Sequence, residues 1–145
     1  QQVLSAGKCF QELLERTHYP QPSKVFVSPL EGTLQTASLL FPDHPATVAV
    51  ELLREKRTGL PCDERKNAAD MAVQFPNVDF MEIVEIDCKK ADGLVFRPEL
   101  LEGNEGVAKR GEELLGRLSQ EHEKAIAVVT HKGFLRELHK GPWKD

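Results

Sequence analysis

A three-layer α/β/α sandwich around a mostly parallel sheet is the fold this sequence predicts, and three observations predict it. Apolar, strand-like runs alternate with amphipathic stretches along the chain, the pattern of strands joined by crossover helices. The clearest run, Ala125-Ile126-Ala127-Val128-Val129, is continuously apolar, as expected of a strand buried on both faces of a parallel sheet. The chain has 145 residues, 40% hydrophobic and 29% charged, which suits a single domain over 1–145 with a core of useful size.

The elements follow in order. Val3, Leu4, Gly7, Phe10, Leu13 and Leu14 recur at helical spacing, so the chain starts inside an amphipathic helix. That start predicts a domain incomplete at its N-terminus. The short tail Lys140 to Asp145 extends the same expectation to the other end. His18-Tyr19-Pro20-Gln21-Pro22 breaks the first helix. Lys24 to Val27 reads as a short strand stopped by Ser28-Pro29, and Thr33 to Phe41 as a helix ending before Pro42. Ala46 to Val50 is a second short strand. Glu51 to Lys90 reads as a long, polar, irregular connection with one short helix near Asn67 to Val73, and connections of that length are usually functional. Asn104 is the expected cap of a helix whose apolar residues are Val107, Gly111, Leu114, Leu115 and Leu118. The last strand then runs into His131, and Gly133 gives the chain room to turn into a final helix.

Composition excludes several function classes. A net charge of -4 gives no support for a nucleic-acid partner or an anionic membrane surface. No apolar stretch approaches a membrane span. Cys9, Cys62 and Cys88 are odd in number and lack metal-ligand spacing, which predicts reduced thiols in an intracellular compartment, cytoplasm or organelle. No metal or cofactor is expected, and no Gly-x-Gly-x-x-Gly follows a strand.

Four segments carry candidate chemistry, each with two readings. His131 lies just past a strand's carboxyl end, where open α/β sheets bind ligands; the alternative is a strand cap. Ser28 opens a strand-to-helix junction suited to an anion, with Ser28 or Thr33 as cap; the alternative is a capped helix and nothing more. Glu55, in Leu53-Arg54-Glu55-Lys56-Arg57-Thr58-Gly59, offers a carboxyl to protonate a leaving group, or is part of a solvated charged loop. Arg65 suits phosphate or carboxylate recognition, or pairs with Asp63 or Glu64 at the surface. A thiol nucleophile at Cys62 has no histidine near it in sequence.

Taken in order, these segments resemble the histidine phosphatase superfamily, in its phosphoglycerate-mutase-like group. The resemblance rests on Val27-Ser28-Pro29-Leu30 through Thr36-Ala37, Leu53-Arg54-Glu55 with Gly59, Asn104-Glu105 through Arg110-Gly111, and Val128-Val129-Thr130-His131-Lys132-Gly133-Phe134-Leu135. Pro61-Cys62-Asp63 with Arg65, and Phe75-Pro76-Asn77-Val78-Asp79-Phe80, look closest to plant-like and protist members. The resemblance implies phosphomonoester hydrolysis or phosphoryl transfer. A histidine in an Arg-His-Gly motif becomes a phosphohistidine, arginines and a second histidine hold the phosphoryl oxygens, and a carboxylic acid protonates the leaving oxygen. Carried over, His131 matches the second histidine and Glu55 the proton donor, with Ser28 a phosphate-binding residue and Arg65 a substrate contact. The implied substrate is a phosphorylated small molecule or a phosphoprotein.

Two departures matter. No Arg-His-Gly occurs in the sequence, and the family would place it before residue 1. His18 and His44 are no substitutes and are expected to be exposed loop residues. Gly32 stands where the family places an arginine before the threonine, and Arg54 or Arg57 is the candidate to reach in and compensate. Since the family's nucleophile strand lies within the sheet, a further segment or another chain is expected to cover its neighbour. The alternative function is an inactive family member serving as a structural or interaction subunit of a larger assembly.

Overall fold

The structure, a computed structural model, describes residues 2–89 and 101–141. Gln1, Lys90 and the residues after Gly141, named above, lie outside the described residues. The sheet is four-stranded and entirely parallel, in the order β3 (Val78–Asp79), β2 (Thr47–Ala49), β1 (Lys24–Val27) and β4 (Ile126–Val129). β1 is central. Val25, Phe26 and Val27 are buried at once because successive side chains of a strand point to opposite faces and both faces are covered.

Two cores result from that alternation. Val27 and Ala49 pack on one face beneath α2 (Glu31–Leu40), α3 (Ala68–Gln74) and α4 (Met81–Lys89), through Leu34, Ala37, Met71 and Ile83. Phe26 and Val50 pack on the other beneath α5 (Asn104–Ser119) and α6 (Lys132–Lys140), through Val107, Leu114, Phe134 and Leu138. The α/β/α layering expected from the sequence is therefore the observed architecture. α1 (Gln2–Thr17) lies against α2 and buries Leu14. No helix among the described residues is long and apolar enough to cross a membrane.

Several expectations need correction. β4 is not buried on both faces: among the described residues it pairs only with β1, and Val128 is 37% exposed. A groove of about 380 Å³ runs along this open edge, lined by Ala6, Phe10 and Leu14 of α1, by Phe41, and by the residues of β4. The connection after β2 is less irregular than expected. It holds short 3-10 turns at Glu51–Leu53 and Pro61–Asp63, then α3, β3 and α4. Neither Ser28 nor Thr33 caps α2. The cap residue is Leu30, without a side-chain bond, and the Thr33 hydroxyl donates back to the carbonyls of Leu30 and Ser28. Gly103, not Asn104, caps α5, and the Asn104 side chain instead accepts from Lys56 Nζ. His44 is half-buried, with Nδ1 accepting from the Ala46 amide and Nε2 bonded to the Pro22 carbonyl. His18 is exposed, with a left-handed backbone at φ 53°.

Candidate active site

Parallel pairing brings the carboxyl ends of β1, β2 and β4 to one edge of the sheet, and the segments leaving those ends carry Ser28, Glu55 and His131. Ser28 is fully buried; its amide donates to the Val129 carbonyl, which locks the end of β1 to the end of β4. Its Oγ lies 2.8 Å from His131 Nε2. A second tie holds the neighbouring segment: Thr130 Oγ1 donates to the Leu53 carbonyl at 2.7 Å. Glu55 follows two residues later. One of its carboxylate oxygens accepts from the Lys56 amide at 2.9 Å, the other from the Gly133 amide at 3.1 Å. Gly133 is in the first turn of α6, whose leading N–H groups have no partner within the helix. A carboxylate is a favourable occupant of that end of the helix dipole. The structure thus brings together three of the residues expected from the sequence.

Burial holds the His131 imidazole below its ordinary value of 6.5, against the pull of the Glu55 and Asp63 carboxylates and with Arg110 adding to the depression. In the folded protein His131 therefore stays neutral to lower pH than in the unfolded chain. The unfolded state binds more protons below about pH 6.5, so stability is lost as pH falls through that value. Thermal unfolding from pH 7.5 to 5.5 is expected to show a steeper fall in Tm for the wild type than for His131→Gln. Parallel curves would contradict the assignment of a depressed imidazole.

Residues 8–141 match the sequence profile of the histidine phosphatase superfamily, branch 1. The chain belongs to the histidine phosphatase superfamily. Among curated proteins it is similar to three from Arabidopsis thaliana. It is 38% identical over 103 residues to a phosphoglycerate mutase-like protein, covering 71% of this chain and 36% of that protein. Identity to phosphoglycerate mutase-like protein 1 is 34% over 104 residues, covering 72% and 35%. Identity to phosphoglycerate mutase-like protein 2 is 39% over 75 residues, covering 52% and 20%. The match thus spans about a third of two of these relatives and a fifth of the other. No solved structure matches the chain significantly.

Within this chain, Arg65 stands apart from the other three residues. Its side chain is 1% exposed and is bound by Glu51 Oε2 at 2.7 Å, by both Asp87 oxygens at 2.6 and 3.2 Å, and by the Lys66 carbonyl. It pairs neither with Asp63 nor with Glu64; Glu64 takes a two-pronged contact from Arg57 instead. Gly32 sits in the first turn of α2, and a β-carbon there would meet nothing within 4 Å. Arg54 and Arg57 are engaged elsewhere. Arg57 forks onto Glu64, and Arg54 lies 3.0 Å from Glu51. Arg54 is 12% exposed, and its Nε and Nη1 make no well-aligned hydrogen bond. Burial lowers its pKa below the ordinary arginine value, with Glu51 opposing and the like charge of Arg110 assisting. The cavity beside Gly32 is instead reached by Lys66, which pairs with Glu31 at 2.8 Å.

Sequence reasoning missed Lys66, Asp87, Glu102 and the backbone amide of Gly133 as a contact for Glu55. In the sequence Gly133 signals only a turn, and the other three carry no local signal. No group of three or more metal-ligating side chains is gathered among the described residues.

Proposed function

We propose that this chain supplies the phosphate pocket and the proton donor of a phosphomonoesterase or phosphoryl transferase that works through a phosphohistidine. One observation carries the reading: a single turn after β4 presents His131 to Ser28 and, two residues on, grips Glu55 through the Gly133 amide. His131 contacts the phosphoryl oxygens, and its neutral ground state lets a phosphate dianion draw a proton onto the ring. Ser28, buried under the imidazole, holds it in place and does not itself touch substrate. Glu55 gives a proton to the leaving oxygen and takes one from the water or acceptor that resolves the intermediate. Arg65 serves the architecture of the connection that frames the pocket. The attacking histidine is supplied by a strand that lies along the open edge of β4, and the groove beside that edge supports such a partner.

The substrate is a phosphorylated small molecule or a phosphoprotein. Gly32 favours a second reading, an inactive subunit of a larger assembly, because an absent oxyanion donor costs about 10²–10³ in rate. A generic phosphomonoester assay on the full-length protein, beside His131→Ala and Gly32→Arg, separates the two. The active reading expects a large loss in His131→Ala and a gain of about tenfold or more in Gly32→Arg, whose side chain enters open space. Equal, background rates in wild type and His131→Ala would leave the second reading standing.

A further inference from the structure

Arg110 of α5 spends every prong of its guanidinium on the surroundings of Glu55. Nη1 donates to the carbonyls of Leu52 and Arg54 at 2.6 and 3.0 Å, and the second of these belongs to the peptide bond that leads into Glu55. Nε and Nη2 fork onto the two oxygens of Glu102 at 2.7 Å each. Glu102 closes on the far side of the same loop, where its amide donates to the Arg57 carbonyl at 3.0 Å. The guanidinium carbon also lies over the Phe134 ring, 5.3 Å from its centre, and Phe134 is the fully buried residue that follows Gly133 in α6. One side chain therefore touches both supports of the Glu55 carboxylate: the backbone that delivers it and the helix whose amide receives it.

We propose that Arg110 is a positioning residue for Glu55, an inference that rests on the reading of Glu55 as proton donor only for its catalytic consequence. The geometry demands arginine. A planar fork with five N–H donors reaches two carbonyls and a bidentate carboxylate while its face covers a ring. A lysine ammonium keeps the charge but has three donors on a flexible stem, and it cannot serve both sides at once.

The test uses full-length protein carrying Arg110→Lys, with Glu102→Gln as a second, milder way to loosen the fork. Hydrogen exchange at the Gly133 and Lys56 amides is followed by NMR, and Glu55→Ala sets the full loss of protection. Arg110→Lys is expected to speed exchange at both amides about tenfold or more, as a weakened bond to a charged acceptor should, while core amides of β1 keep their rates. Unchanged exchange at Gly133 in both Arg110→Lys and Glu102→Gln would overturn the proposal. So would a uniform rise that includes β1. Activity then separates positioning from general support. Arg110→Lys should lower kcat for alkyl phosphates by about 10-fold or more, spare p-nitrophenyl phosphate, and leave KM in place, because only a poor leaving group needs the proton. If Glu55→Gln shows no such leaving-group dependence, the catalytic reading fails while the exchange result stands on its own.

Discussion

Replacing Gly133 with alanine is expected to turn the Glu55 carboxylate out of its seat while leaving the fold as stable as before. A β-carbon at Gly133 would lie 2.4 Å from one Glu55 oxygen and 2.9 Å from both the other oxygen and the carboxyl carbon, closer than atoms pack. The obstacle is the far end of a flexible side chain, so Glu55 swings aside and the helix does not move. The backbone at Gly133 is helical, and alanine is the better helix former by about 1 kcal/mol. Stability and activity should therefore move in opposite directions. Thermal unfolding should show an unchanged or higher Tm. Turnover of an alkyl phosphate by the full-length protein should fall by about 10²–10⁴, the usual contribution of a positioned acid. Wild-type turnover in Gly133→Ala would mean that the seat of Glu55 has no part in the reaction.

The second large effect concerns stability alone. Asp87→Ala is expected to destabilise the protein by about 3 kcal/mol, the low end of the cost of breaking a buried ion pair. The Arg65 side chain is 1% exposed and donates two of its bonds to Asp87, so the variant leaves a guanidinium in the interior with Glu51 as its main remaining partner. Asp87 also accepts from the Ala68 amide, and the first turn of α3 loses that anchor too. Replacing Arg65 with methionine should cost less, because Glu51 and Asp87 are each 21% exposed and can turn to water. Urea unfolding of the two variants checks the order. A smaller loss in Asp87→Ala than in Arg65→Met would show that the buried charge is not what the network serves.

Much of the framework was legible because it is written locally. Lys24 to Val27 is a strand from its apolar run and its Pro29 stop, and the structure has it at those residues. His131 was placed at a strand end by the polarity change after Val129, and it lies there. β3 is only two residues long, too short for any periodicity, and its identity comes from pairing with β2. α4 is hard to see because it is short and Met81, Ile83, Val84 and Ile86 are interleaved with Glu82, Glu85 and Asp87; Ile83 packs in the core with Val27 and Ala49. Side-chain partners far apart in sequence were beyond reach. Glu55 meets Gly133 across 78 residues, and Arg65 meets Asp87 across 22. Asn104 shows the converse error: a residue well suited to capping was recruited by Lys56, and Gly103 took the cap.

Among the described residues one side of β4 is unpaired, and this has a practical consequence. Natural sheets guard such borders with charge, proline, a bulge or brevity, yet Ile126-Ala127-Val128-Val129 carries neither a charged residue nor a proline. Wherever no other strand covers that border, two molecules meeting along it can exchange main-chain hydrogen bonds and bury Val128 in the same step. Concentration, more than temperature, should then govern how long a preparation of this chain stays monodisperse.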